Sequence, residues 1–308
     1  MSESVHSLKN DFLEIQVNEF GAELISILNV KNQKQYLWNA DPAYWKRNSP
    51  ILFPIVGSLK NRTYTYQEKT YTLPQHGFAR DMVFTVKEKT ASQIWLSLQE
   101  TEETLKVYPF RFRLEIGYEL VNNKIRVMWK VTNSNTSTLY FSIGGHPGFL
   151  CPIDENFRQE DYYFLFDTKE PLHYLQVDDS CGLVVKKSFE EQAVLSTEQG
   201  LVQIDNHMFD HDALIIEHDQ CHSVALLTPD KKPYVTVTFD APLFGLWSPS
   251  MKQAPFVCIE PWYGRCDSTG FNGNLEDREW GNSLEAGTQF ETSYCIEIEG
   301  DCETQNRY

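Results

Sequence analysis

No apolar run in this sequence approaches the ~18 residues that a membrane-spanning helix requires, so no helical span is expected. The opening residues, MSESVHSLKN, lack the apolar stretch of a secretory signal. Cysteine is sparse and unpatterned. The seven residues are an odd number with no C-x-x-C pair, which argues against a disulfide framework and against zinc-site spacing. They read as reduced thiols of a cytoplasmic protein. Positive charge is also short: 27 Lys and Arg face 43 Asp and Glu, a net charge of −16 that disfavours a nucleic-acid partner or an anionic membrane surface. The chain has no P-loop, G-x-G-x-x-G, G-x-S-x-G or H-E-x-x-H signature, so phosphate-loop, dinucleotide, nucleophile-elbow and zincin chemistry have no foothold. Helical signals are few and short, and no helix–strand alternation suggests a parallel α/β sheet.

Strand signals are abundant. Phe112, Leu114, Ile116, Tyr118 and Leu120 alternate with polar or small residues, and Ile125, Val127, Trp129 and Val131 alternate again. Asn122-Asn123 lies between them and tolerates positive φ, so the segment predicts a long β-hairpin. The same period of two marks Leu13–Val17, Ile94–Leu98, Val235–Phe239 and Tyr294–Ile298. TYTYQEKTYTL predicts a short hairpin turning at Gln67-Glu68-Lys69. DPAYWKR predicts a short helix, with Asp41 as cap and Pro42 in the first helical position. There is no flexible linker, low-complexity tract or 20–50-residue repeat. The expected architecture is one all-β domain over residues 1–308, a large antiparallel β-sandwich with few short helices whose long loops carry the chemistry.

Five stretches stand out for chemistry. FSIGGHPGFL surrounds His146 with residues that free or fix the backbone. FVCIEPWYGRCD holds Glu260 and Trp262, VGSLKNRTY holds Arg62, LPQHGFARD holds His76 and Arg80, and NHMFDHDALII holds Asp210, His211 and Asp212. His146 and Glu260 each end an apolar run and each precede a proline, which biases them to extended backbone. Both side chains are therefore expected to project from strand ends into one mouth. A histidine and a carboxylate without metal or cofactor suit general acid–base work, provided an acidic neighbour, Asp212 or Asp210, raises the histidine pKa. A glutamate here also serves as a cap or ion-pair partner, and arginines commonly pair at the surface. His207, His211, His218 and His222 sit close in sequence among acids, but without recognised zinc spacing, and read as a polar loop flanking a strand at Ala213–Ile216.

Taken together, NSPILFPIVGSLKNRTY, LPQHGFARD, SIGGHPGF, DHDALII and FVCIEPWYG resemble the aldose 1-epimerase (galactose mutarotase) superfamily, in its LacX-like branch. The resemblance runs from about Asn10 to Ile298. It implies a galactose mutarotase-like supersandwich and a cofactor-free, metal-free isomerase that interconverts the α and β anomers of an aldose. It implies that His146 protonates the ring oxygen and Glu260 takes the proton from the anomeric hydroxyl. His76 would bind the sugar, Arg62 would hold a hydroxyl, and Asp212, in preference to Asp210, would orient it. Trp262 or Trp247 would pack on the sugar's apolar face. Ser58 stands where the family pattern often has an arginine. Related hexose-6-phosphate epimerases share the His-Gly-Phe-Ala-Arg stretch, which makes Arg80 a contact for a phosphorylated substrate. A noncatalytic carbohydrate-binding sandwich is the alternative from another class.

Overall fold

The computed structural model describes residues 4–178, 180–250 and 252–299. Its largest sheet has nine antiparallel strands, and the long predicted hairpin forms its middle. Strand Phe112–Val121 pairs with Lys124–Asn133, and Asn122 takes the positive φ the turn requires. Strand Gln289–Ile298 extends the sheet on one side and Gln93–Gln99 on the other. The alternating residues of these strands face inward: Leu96, Ile116 and Trp129 are cross-strand neighbours, all buried. Leu13–Asn18 and Pro233–Phe239 are strands too, as their period of two predicts.

The second large sheet has six strands and carries the chemistry. Its axis is Phe256–Tyr263, flanked on one side by Leu243–Trp247 and on the other by Ile143–Gly145 and Gly148–Leu150. Both short strands pair with Phe256–Tyr263 in one continuous register, interrupted only at His146-Pro147. Pro261 has no N–H to give to a ladder, and the register sets it opposite Gly145, just before the interruption. The two large sheets meet beneath this point. A Cβ on Gly145 would lie 2.9 Å from the Tyr294 hydroxyl and 3.2 Å from the Trp129 ring of the nine-stranded sheet. One apolar cluster between the sheets draws residues from Leu8 to Ile298. The chain is thus an all-β sandwich.

The 63–72 hairpin forms with its turn at Gln67-Glu68, and Lys69 already pairs with Tyr66. DPAYWKR, however, makes one capped turn and no helix. Ala43 N–H donates to the Asp41 carboxylate, and the Tyr44 and Trp45 N–H groups donate to the Asp41 carbonyl. The chain then leaves the helical path because tertiary bonds take over. Trp38 Nε1 donates to the Trp45 carbonyl at 2.8 Å, and the Asn48 and Ser49 N–H groups donate to the buried Glu23 carboxylate at 2.7 and 2.8 Å. No helix among the described residues is long and apolar enough to cross a membrane.

Candidate active site

The register that joins the two halves of the interrupted strand sets His146 directly opposite Glu260. Opposed residues of antiparallel strands share a face, so the two side chains meet. His146 Nδ1 and Glu260 Oε2 are 3.4 Å apart, and the residues are only 7% and 1% exposed. Neither atom has a hydrogen-bond partner. Glu260 does not end its strand: Phe256–Tyr263 continues past Pro261, and it is the opposing strand that breaks, at His146. The pair forms part of the wall of a cavity of about 530 Å³.

Aromatic rings fix His146. Trp45 stacks on it with centroids 4.7 Å apart, and Trp247 meets it edge-on at 5.3 Å. His76 approaches at 5.7 Å. Its Nδ1 accepts the Gly57 N–H at 3.1 Å, so the neutral ring carries its proton on Nε2. Trp262 lines the cavity from a slot bounded by glycines. A Cβ on Gly144 or on Gly245 would each lie 2.6 Å from the indole. Its Nε1 is buried and has no hydrogen-bond partner.

The electrostatics differ from the sequence expectation. No acid raises the histidine. Burial, followed by the Arg80 and Arg47 charges, lowers His146 to about 3. Burial also holds His76 well below the ordinary histidine range. Asp212 acts on Glu260 instead: burial first and then the Asp212 charge push the Glu260 carboxyl well above the ordinary carboxylate range. Between the lowered His146 value and the raised Glu260 value the pair therefore holds one proton, which rests on Glu260.

The structure brings His146, Glu260, His76, Arg80, Asp212 and Trp262 to one cavity. Asp210 lies outside that lining and bonds His207 at 2.8 Å. Arg62 is exposed, stands outside the cavity lining, and lies in a turn with φ of 58° whose carbonyl accepts the Leu73 N–H. Arg62→Ala is expected to leave kcat/KM unchanged to within about twofold, because it removes no contact with a reacting group. A steady-state assay checks this. The strand after Asp212 runs Leu214–Ile216, one residue shorter than the expected Ala213–Ile216. Sequence reasoning missed Trp45, Lys46 and Arg47, which line the cavity from the loop that Glu23 anchors. Their signal was present in AYWKR, an aromatic beside two cations, but it was read as a helix start.

The far wall rests on buried ion pairs. Arg265 pairs with Glu217 through Nε and with Glu279 through Nη2 at 2.5 Å. Arg278 Nε donates to Asp267 at 2.7 Å, and the other Asp267 oxygen accepts the Lys60 N–H at 2.9 Å. Between these pairs Cys266 faces the cavity.

The family model for aldose 1-epimerase matches residues 4–288. The chain belongs to the aldose 1-epimerase family. It is similar to the chromosomal LacX protein of Lactococcus lactis subsp. lactis, at 35% identity over 286 residues, covering 88% of this chain and 91% of that protein. A galactose mutarotase related enzyme from Lactobacillus acidophilus superposes with a TM-score of 0.90 at 34% identity, covering 96% of this chain and 98% of that one. A galactose mutarotase-like protein from Lactobacillus casei gives 0.87 at 26% identity, with 96% and 100% covered. Membership implies a sugar isomerase acting on a small-molecule sugar.

Proposed function

We propose that this protein interconverts the α and β anomers of an aldose without a cofactor, with His146 and Glu260 as the acid–base pair. The observation that carries this reading is the buried, unpartnered contact of the two side chains at 3.4 Å in the cavity wall. Mutarotation needs one proton delivered to the ring oxygen and one taken from the neighbouring anomeric hydroxyl. A pair holding a single proton does both. With the proton on His146, the imidazolium donates to the ring oxygen while the Glu260 carboxylate accepts from the hydroxyl. The ring opens, the C1–C2 bond rotates, and closure on the other face returns both protons. Burial rests the proton on Glu260, so the reactive tautomer forms by transfer across the His146–Glu260 contact. His76 Nε2–H is the donor for a sugar oxygen, Asp212 accepts from a hydroxyl, and the tryptophans supply apolar faces.

The pKa directions fix the pH profile. The doubly protonated pair appears only near the lowered His146 value of about 3. The unprotonated pair appears only above the raised Glu260 value. The single-proton form therefore dominates between them, and kcat/KM is expected to stay flat from about pH 5 up to the raised Glu260 value. A bell centred near the ordinary histidine pKa would contradict the reading.

A second reading, an aldose bearing an anionic group, is favoured by the lining itself. Lys46, Arg47 and Arg80 reach the cavity of a protein with net charge −16. Arg80 is lowered to about 10, chiefly by burial, and is still charged at neutral pH. Its Nε is buried, makes no hydrogen bond, and pairs with the Asp81 carboxylate only at 3.9 Å. Anomer exchange of glucose 6-phosphate, compared with glucose in the wild type and in Arg80→Ala, separates the readings. A phosphate preference lost in the variant supports the anionic substrate, and equal rates in both proteins remove it.

A further inference from the structure

Cys258 lies two residues before Glu260 on the same strand, and alternation puts both side chains on one face. The Cys258 sulfur, an imidazole nitrogen of His146 and a carboxylate oxygen of Glu260 all lie within 4.8 Å of one another, and all three residues are buried. They are the one such convergence of three or more His, Cys, Asp or Glu side chains among the described residues. The histidines of the 205–222 segment do not form one: His207 is taken by Asp210, and His222 Nδ1 faces the Phe239 carbonyl.

The geometry matches a particular class of ion. Tetrahedral zinc, with Zn–N of about 2.0–2.1 Å and Zn–O of about 2.0–2.2 Å, holds its nitrogen and oxygen donors about 3.4 Å apart. His146 Nδ1 and Glu260 Oε2 are 3.4 Å apart and neither has a hydrogen-bond partner. A sulfur ligand at about 2.3 Å stands about 3.6 Å from the other donors, inside the 4.8 Å that bounds the three atoms.

We propose that His146, Cys258 and Glu260 form a site for a soft divalent cation of the zinc class. The ion's fourth position would open to the cavity. Binding would engage the atoms assigned above to proton transfer and so inhibit turnover. The metal forms bonds to nitrogen, sulfur and oxygen, while the thiol proton and the carboxyl proton leave to solvent. The dication is then neutralised by one thiolate and one carboxylate, so the buried complex carries no net charge. Sulfur and imidazole ligands select zinc or cobalt over magnesium and calcium, which demand more oxygen ligands.

The test is titration of the chelator-treated full chain with Co²⁺, read by absorbance. The expected result is one equivalent bound, with a near-ultraviolet thiolate-to-cobalt charge-transfer band and no competition from Mg²⁺. Cys258→Ser should abolish the band and weaken binding by at least the roughly 10–100-fold that losing even an outer partner costs. A cobalt complex without a thiolate band, no binding at all, or unchanged affinity in the folded serine variant overturns the proposal. Should that variant fail to fold, Glu260→Gln replaces it: weaker binding with the thiolate band kept supports the site, and unchanged affinity overturns it. The readout does not depend on turnover. A band in a protein without epimerase activity leaves the metal site standing, and normal turnover without a band removes the metal site alone.

Discussion

Glu260→Gln is expected to lower turnover by roughly 10²–10⁴-fold, the contribution of a positioned acid–base group, with KM little changed. Glutamine keeps the shape of the side chain and removes the group that takes up and returns the proton. The same substitution is expected to stabilise the fold at neutral pH. Burial raises the folded-state pKa of Glu260 above its unfolded value. Such a group contributes its full stability below the unfolded pKa of about 4.3, and loses it as pH rises toward the folded value, at about 1.4 kcal/mol per pH unit. Glutamine does not titrate and escapes that loss. The lowered pKa of His146 acts in the opposite sense, since the unfolded chain gains protons first as pH falls below about 6.5, but it is common to both proteins and cancels in the comparison. Thermal melts at pH 7 and pH 4.5 should show the variant more stable at the higher pH, with the gap closing at the lower. A gap between the two proteins that does not change between pH 7 and pH 4.5 would show that the Glu260 carboxyl is not held above its ordinary range.

Arg265→Met should cost about 3–5 kcal/mol, the penalty for leaving a buried charge without its partner. Arg265 is 3% exposed and Glu217 5%, so little water reaches the carboxylate left behind. Glu279 loses its 2.5 Å partner at the same time, although it is less buried and keeps Lys186. Against a typical total stability of about 5–15 kcal/mol this is a large fraction. The segment it holds carries Cys266 into the cavity wall and Asp267 into bonds with Arg278 and the Lys60 backbone. Urea denaturation should show the loss as a lower midpoint. Replacing Glu217 by Gln together with Arg265→Met should recover part of it, because the orphaned charge is then gone. A loss below about 1 kcal/mol in the single variant would place Arg265 among ordinary surface pairs.

The large sheet was legible in the sequence because its strands turn their apolar side chains to one face. Leu114, Ile116 and Tyr118 point into the sandwich while Arg113 and Glu119 do not, and period two survives. Strand Phe256–Tyr263 shows no such period, since seven of its eight residues are buried and both faces are covered. Glu260 stood out there for that reason, as an acid inside an apolar run. Its facing of His146 followed from register, which depends on pairing between residues more than a hundred positions apart and leaves no local mark. The same is true of Asp212: sequence placed it near the site but tied it to the histidine, and only the packing shows that its charge falls on Glu260. Arg62 was carried by a motif whose neighbour Ser58 already departed from the pattern, and it stands outside the cavity. Arg47, in a segment read as helical, reaches the cavity because Glu23 and Trp38 bend the chain away from the helix.

The measurement that bears most directly on the acid–base pair is polarimetric relaxation of freshly dissolved α-D-galactose and α-D-glucose, with glucose 6-phosphate followed by NMR exchange. Wild-type protein should speed the approach to an unchanged equilibrium for at least one of the three sugars, and Glu260→Gln should return that rate to near the uncatalysed value. Acceleration that survives in Glu260→Gln, or sugar binding with no acceleration in the wild type, would contradict catalysis by His146 and Glu260.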